Sequence, residues 1–167
     1  MITNWDLKVS SATFGTSSSA ILTELTLPSI EVEFNTDRYI SYPGVVPIPT
    51  GFGEMSIEFS GIHNANDLIF DQIMLSRTQK NFVFTGAEIK PDDSFNNHII
   101  VCKGWSQTVP LGSFSAGDPA EFAYTGRINY IEWKINNQPF FKFDVVNYIY
   151  EVNGINELAQ IKDILGH

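Results

Sequence analysis

The chain has 167 residues, 43% of them hydrophobic and 17% charged, which is typical of a globular domain with its own core and argues against a disordered chain. The formal net charge is −9, from 19 acidic and 10 basic residues, and this argues against a surface that binds nucleic acid through Lys and Arg. One cysteine, Cys102, and three scattered histidines exclude an internal disulfide and give no expected metal or cofactor site.

Two segments, residues 30–34 and 54–60, alternate apolar and polar side chains with a period of two, which predicts strands with one buried and one hydrated face. The apolar positions, which we expect to pack under a helix, are Ile30, Val32, Phe34, Met55, Ile57 and Phe59. The carboxylates of opposite parity are Glu31, Glu33, Glu54 and Glu58. If the two strands pair, these carboxylates line one sheet face, where hydration rather than catalysis is expected.

The connection between these strands, residues 35–53, is rich in proline and glycine. Proline has no backbone N–H to donate and is confined to sheet edges, which excludes a central strand here. We therefore expect an extended arm or a long loop over this range.

Two short helices are expected. The first is capped by Asn64 or Asn66, carries Asp67 in its first turn and ends near residue 76. Its apolar stripe consists of Ile69, Phe70, Ile73 and Met74. The second helix covers residues 156–165 and has one apolar face, formed by Leu158, Ile161 and Leu165.

Further strands are expected at residues 81–89, 98–105, 121–135 and 140–145. In the long third of these, the apolar residues change parity after Tyr130, which predicts a β-bulge or a sharp bend. Asn136 and Asn137 then predict a hairpin turn, because asparagine tolerates positive φ.

The sequence carries no catalytic motif. His98 and Cys102 stand four residues apart in an expected strand, too far to touch directly, so they do not form a nucleophile–base pair. Residues 1–6 lack the pattern of a signal peptide, and no apolar stretch is long enough to cross a bilayer. We therefore expect no enzymatic activity, no cofactor and no membrane anchor, with synthesis in a reducing cytoplasm.

Near the carboxyl terminus, an acidic residue is followed by Val-Asn, then by Val-Asn-Gly and a leucine. The residues of this motif are Asp144, Asn147, Asn153, Gly154 and Leu158. Upstream, Leu27 and Pro28 stand in a Thr-Leu-Pro motif that leads into a strand, and residues 117–122 form a weaker third match. In this order the motifs resemble those of the major tail tube proteins of contractile-tailed temperate phages and R-type bacteriocins.

The resemblance implies a mainly β fold with minor α content: a tail-tube-type β-barrel or sandwich with a flanking helix and a short C-terminal helix, in a single domain over residues 1–167. It further implies six-membered rings that stack into a hollow tube inside a contractile sheath, with strands of neighbouring subunits joined into one continuous barrel. The expected partners are other copies of the chain, sheath protein, tape measure protein and baseplate proteins. DNA would pass without specific binding, and the virion tail would be assembled in the bacterial host cytoplasm.

The resemblance also suggests roles for particular residues. Glu31, Glu33, Glu54 and Glu58 become candidates for the lumen lining, where an acidic surface would keep DNA from sticking. Asn153 and Gly154 are expected to set the turn into the terminal helix.

Three alternatives remain open at this point. The first is the tube of a bacteriocin or of another injection or secretion particle, which needs the same slippery lumen. The second is a monomeric β-sandwich binding module that uses Trp105 and Trp133 as exposed aromatic contacts. The third is a hydrolase, for which no base–nucleophile pairing is found.

Overall fold

The computed structural model describes residues 2–17, 19–37, 46–62, 68–108 and 121–165. The strands are β1 (Ile2–Ser11), β2 (Gly15–Thr16), β3 (Ala20–Thr26), β4 (Val32–Asp37), β5 (Val46–Phe52), β6 (Met55–Ile62), β7 (Lys80–Ile89), β8 (Phe95–Thr108), β9 (Glu121–Ile135), β10 (Gln138–Asp144), β11 (Ile149–Val152) and β12 (Ile155–Asn156). The helices are α1 (Leu68–Leu75) and α2 (Ala159–Leu165). The mainly β fold with minor α content is confirmed.

Six antiparallel strands close into a barrel in the order β9-β6-β3-β1-β7-β8, because β8 also pairs with β9. The β7–β8 ladder runs without interruption from Lys80 opposite Gly104 to Ile89 opposite Phe95. Closure gives each of the six strands a neighbour on both sides, which removes the long open edges that an unclosed sheet would expose.

The long strand β9 changes partner in its middle. Its first half pairs with β6, ending at Met55 opposite Ile128, and its second half pairs with β10, beginning at Asp144 opposite Tyr130. Asn129 lies between the two ladders, where the β8–β9 register also shifts. The bulge predicted from the change of parity is therefore confirmed, and it marks the point where β9 leaves β6 for β10.

Aromatic side chains fill the barrel interior. Phe59 on β6 lies at their centre, with its ring centroid 5.4 Å from Phe84, 5.6 Å from Phe82 and 4.7 Å from Tyr124. The remaining fully buried aliphatic side chains include those of Leu7, Val9, Ile57 and Ile100. Edge-to-face and tilted ring contacts of this kind stabilise a core beyond simple area burial, by about 0.5–1.5 kcal/mol for each pair.

Helix α1 buries Phe70, Ile73 and Met74 against the core, as predicted. The expectation was wrong for Ile69, which is exposed because it lies at the margin of the apolar stripe. The proposed caps and first turn, residues 64–67, lie outside the described residues.

Strand β4 does not join the barrel but pairs with β5 in a separate two-stranded hairpin. The expectation that Val32 and Phe34 pack under a helix is therefore wrong, since they are 42% and 55% exposed. Ile30 is partly buried against the core, whereas Met55, Ile57 and Phe59 are buried inside the barrel.

The arm expected over residues 35–53 thus contains the end of β4 and all of β5. Proline is tolerated in β5 because a two-stranded hairpin has an open edge on each strand. At its base, Phe52 anchors the hairpin, with ring centroids 4.8 Å from Phe143 and 5.4 Å from Tyr150. Hereafter β4 and β5 are called the hairpin arm.

Strands β10, β11 and β12 form an antiparallel meander outside the barrel. The expected start of the second helix at residue 156 is wrong, because Asn156 pairs with Glu151 in β12 and α2 begins at Ala159. Strands β1, β2 and β3 were not predicted from the sequence. In β1, the buried residues Leu7 and Val9 alternate with polar residues.

Glycine permits a close approach of β8 to β9. A Cβ at Gly104 would overlap the carbonyl oxygen of Arg127 and lie 2.8 Å from Cα of Ile128. We predict that Gly104→Ala lowers the free energy of unfolding by about 1–3 kcal/mol, because the closing ladder must shift. Gly51→Ala is the matched control, since a Cβ there meets nothing within 4 Å. Urea unfolding measures both, and equal stabilities of the two variants would contradict the prediction.

Candidate functional site

The four carboxylates expected on one face are not brought together on one sheet. Glu31 lies just before β4, Glu33 lies in β4, and Glu54 lies between β5 and β6. Glu58 alone projects outward from a barrel strand. The pairing that would have aligned them is absent, because β4 pairs with β5 whereas β6 pairs with β3 and β9.

Glu54 is engaged with a cation: its Oε2 lies 2.6 Å from Nη1 of Arg127. Both side chains are exposed, so the pair contributes little to stability, on the order of 0–1 kcal/mol. Its consequence is electrostatic, because the positive charge of Arg127 offsets the negative charge of Glu54. Glu54 is thus a weaker source of negative potential than an unpaired carboxylate.

The outer face of β3, β6 and β9 presents a different acidic surface. In register across these strands, Thr26 lies opposite Glu58 and Glu58 opposite Thr125, while Glu24 lies opposite Ser60. The surface forms a shallow depression of about 230 Å³ lined by Glu24, Thr26, Glu58, Phe59, Ser60, Thr108, Ala123, Tyr124 and Thr125. These lining residues include no Lys or Arg. We call this surface the acidic face.

A bulge in β3 places Glu24 on this face. The β3–β6 register shifts between Leu22 and Glu24, and the Oγ1 of Thr23 lies 3.2 Å from the Oγ of Ser60. Beyond the bulge the exposed positions become Glu24 and Thr26. The sequence did not predict Glu24 as a site residue. The pattern that could have indicated it is the alternation of the polar residues Glu24 and Thr26 around Leu25, which is partly buried.

The motif residues Asp144 and Asn147 build the turn between β10 and β11. Oδ1 of Asp144 accepts the backbone N–H groups of Val146 and Asn147 at 3.0 and 3.1 Å, and its Oδ2 accepts Nδ2 of Asn147 at 2.7 Å. The backbone N–H of Val145 donates to the carbonyl of Asn129 at 3.1 Å. The turn is therefore fastened to the bulge at which β9 changes partner.

Asn153 and Gly154 adopt positive φ, 48° and 84°, and connect β11 to β12 as a two-residue hairpin turn. The expectation that they lead into the terminal helix is corrected accordingly. Asn156 makes that connection instead, since its Oδ1 accepts the backbone N–H groups of Tyr150 and Leu158. The earlier motif pair, Leu27 and Pro28, is partly buried just beyond β3.

His98 and Cys102 do not form a catalytic pair. Burial raises the pKa of Cys102 to about 12, which leaves its thiol protonated at neutral pH. His98 is buried and accepts Nε1–H of Trp133 on its Nδ1 at 3.2 Å, so its Nε2 donates to Oε2 of Glu88 at 3.1 Å. The histidine thus holds a polar network at one end of the barrel.

The two tryptophans weighed as a binding platform lie apart. Trp133 is opposite Ile100 and partly buried, while Trp105 is opposite Arg127 and exposed. Five positions along β8 separate them, roughly 16 Å. They do not form one aromatic surface.

Within the described part of the chain, no group of three or more His, Cys, Asp or Glu side chains is arranged to hold a metal ion. Among the same residues, neither helix is long and apolar enough to cross a membrane.

Comparison with known proteins gives one family match. The family model described as "Phage tail tube protein FII" matches residues 13–166. No curated protein sequence matches the chain.

Two solved structures align with the chain at low sequence identity. A chain of the PVC sheath–tube complex in its extended state, from an extracellular contractile injection system, aligns with a TM-score of 0.50 at 11% identity, covering 78% of this chain and 87% of that one. The tail tube of SPP1 aligns with a TM-score of 0.48 at 11% identity, covering 86% of this chain and 80% of that one.

The Asp144 turn yields a prediction for stability. Asp144→Ala removes the acceptor of three hydrogen bonds, two of them from backbone N–H groups in a partly buried turn. We expect the free energy of unfolding to fall by about 2–4 kcal/mol. Chemical denaturation measures this, with Asp163→Ala in α2 as an exposed control. A loss below about 0.5 kcal/mol for Asp144→Ala would show that the turn does not depend on the carboxylate.

The His98 network yields a prediction for pH dependence. Hydrogen bonds from Asn96 and then His98 hold the pKa of Glu88 below its usual value. A lowered pKa in the folded state means that Glu88 stabilises the fold above its unfolded pKa, and that this contribution is lost as pH falls through the folded pKa. Between about pH 5 and pH 3, wild type should therefore lose more stability than Glu88→Gln. Parallel slopes of the two proteins in thermal unfolding would contradict this.

Proposed function

Since the chain belongs to the family of phage tail tube protein FII, we propose that it forms six-membered rings that stack into the hollow tube of a contractile tail and conduct DNA during ejection. The chain is a structural subunit of such a tube. The observation that carries the proposal is the acidic face, a hydrated outer barrel surface with carboxylates and hydroxyls but no cation among its lining residues.

The acidic face has the chemistry that a DNA channel needs. Glu24 and Glu58 repel phosphates, and the hydroxyls of Thr26, Ser60 and Thr125 keep the wall hydrated. At physiological salt this repulsion reaches about 8 Å, enough to keep DNA off the wall without closing the channel. We therefore propose Glu24 and Glu58 as the principal lumen residues, with Glu33 in the hairpin arm and Glu31 and Glu54 beside it as further candidates.

Ring formation must use strands that still have an open edge. The six barrel strands each have two neighbours, whereas, among the described strands, β2, β4, β5 and β12 pair on one side only. The hairpin arm also exposes the apolar side chains Val32, Phe34 and Ile48. We propose that the arm packs on a neighbouring copy and continues the sheet around the tube, which would cover these side chains.

The proposed partners follow from this assembly. A contractile sheath would surround the tube, a tape measure protein would occupy its lumen during assembly, and baseplate proteins would start it. The solved complex of a tube with a sheath supports the first of these by analogy of fold. Assembly in the bacterial host cytoplasm and residence in the virion tail complete the proposal, in which the chain has no enzymatic role.

A second candidate is the tube of a bacteriocin or other injection particle. The shared fold with the tube of an extracellular contractile injection system favours it. A lumen wall that does not bind its cargo would serve a phage tail and an injection particle alike.

Electron microscopy of the purified protein at high concentration tests the assembly. We expect rings of six subunits and, with other tail components present, stacked tubes. A strictly monomeric protein under both conditions would overturn the proposal.

The lumen assignment predicts a gain of DNA binding. In Glu24→Lys/Glu58→Lys, two negative charges of each subunit become two positive ones, so assembled tubes should retain DNA at low salt and release it at high salt. Glu157→Lys, on the exposed segment after β12, is the control and should retain little DNA. DNA retention on tubes is measured by cosedimentation. Double-variant tubes that retain no more DNA than the control would remove Glu24 and Glu58 from the lumen.

A further inference from the structure

Strand β7 connects two exposed patches of different chemistry. It spans Lys80–Ile89, so its ends lie roughly 30 Å apart at about 3.3 Å per residue. The base patch, before the strand, consists of Phe14, Leu75 and Arg77. The tip patch, after it, consists of Asp92, Asp93 and Phe95.

The base patch is assembled from two parts of the chain. Ser11 pairs with Lys80, which brings the turn that contains Phe14 beside the loop over residues 76–79. Phe14 is 40% exposed, Leu75 is 54% exposed, and Arg77 is exposed.

The loop of the base patch is held in place by Lys80. Its buried ammonium donates to the carbonyls of Ser76 at 2.6 Å and Thr78 at 3.3 Å. Residues 76–80 therefore carry two cations, Arg77 and Lys80, and no carboxylate. The acid of the neighbouring helix, Asp71, is partly buried.

The tip patch is an equally well-defined turn. Lys90 donates its backbone N–H to the carbonyl of Ser94 at 3.0 Å, and Oδ1 of Asp92 accepts the N–H and Oγ–H of Ser94 at 3.1 and 2.7 Å. Phe95, 68% exposed, is the apolar side chain beside the turn. The turn has two acids, Asp92 and Asp93, against one base, Lys90.

We propose that the tip patch of one copy docks on the base patch of the next. Each patch joins exposed apolar side chains to charges whose sign is opposite to that of the other patch. Phe95 would pack against Phe14 and Leu75, with Asp92 and Asp93 facing Arg77. A polar rim around an apolar centre is the usual arrangement of a specific protein interface.

The geometry makes this contact heterologous, because two different surfaces of the same chain meet. The patches lie at opposite ends of one strand, so copies joined through them continue along a line. Resting on the proposed function, we infer that this contact stacks one ring on the next along the tube axis.

A charge-swap experiment tests the contact with the full-length chain. Arg77→Glu alone places a carboxylate against the tip, and Asp92→Lys/Asp93→Lys alone places ammonium groups against the base. Each variant alone should need at least about a tenfold higher protein concentration to form tubes. When rings of the two variants are formed separately and then mixed in equal amounts, they should assemble at nearly the wild-type concentration. Alternating rings then place each altered patch against an altered patch of opposite charge, and each unaltered patch against an unaltered one.

Several outcomes would overturn the contact. Tubes formed by either variant alone at the wild-type concentration would do so, as would a mixture that assembles no better than its parts. Lys8→Glu, on the outer side of β1, is the matched control for Arg77→Glu and should assemble as wild type does; an equal loss there would also count against the contact.

Folding and ring formation of each variant are measured separately from tube formation. Thermal unfolding of Arg77→Glu should stay within about 2 °C of wild type, since Arg77 is exposed. Asp92→Lys/Asp93→Lys also removes the acceptor of two hydrogen bonds from Ser94, so its melting temperature should fall further. Recovery of assembly on mixing with Arg77→Glu separates the effect of charge from that loss. Rings that form but no longer stack are expected for the single variants. Wild-type protein that forms neither rings nor tubes would instead overturn the proposed function itself.

Discussion

The whole structure depends on strand β9 having three partners. One edge of β9 pairs with β8 and closes the barrel, while the other pairs first with β6 and then with β10. Asn129 stands at the change, and its carbonyl receives the N–H of Val145 from the turn that Asp144 builds. One bulge thus couples the closed barrel to the outer meander, which in turn anchors the hairpin arm through Phe52.

Barrel closure places the side chains that stabilise the subunit in the interior, apart from the outer surfaces that are proposed to contact other subunits. The interior is packed with aromatic and aliphatic side chains around Phe59, so the fold does not need a neighbour to complete its core. The surfaces proposed for assembly lie outside it: the acidic face, the hairpin arm and the two patches at the ends of β7. Changes on these surfaces can therefore alter assembly while leaving the subunit folded.

The sequence predicted β6, β7, β8, β9 and β10 to within a few residues, and the change of parity located the bulge near Tyr130. It did not predict β1, although Leu7 and Val9 alternate with polar residues there. It failed at β3, because a second bulge at Thr23 breaks the alternation and hides Glu24 among residues of mixed character. It misjudged β4 for a different reason. The alternation of Val32 and Phe34 with polar residues indicates that one face of the strand is apolar. It does not indicate whether the same chain or another copy covers that face.

A cryo-EM map of the assembled tube at side-chain resolution would show most directly which surface of the subunit faces the channel. The outer face of β3, β6 and β9 should line the lumen, with Glu24 and Glu58 pointing into open solvent along the tube axis. A map in which this face is buried between subunits, or turned outward towards the sheath, would contradict the account.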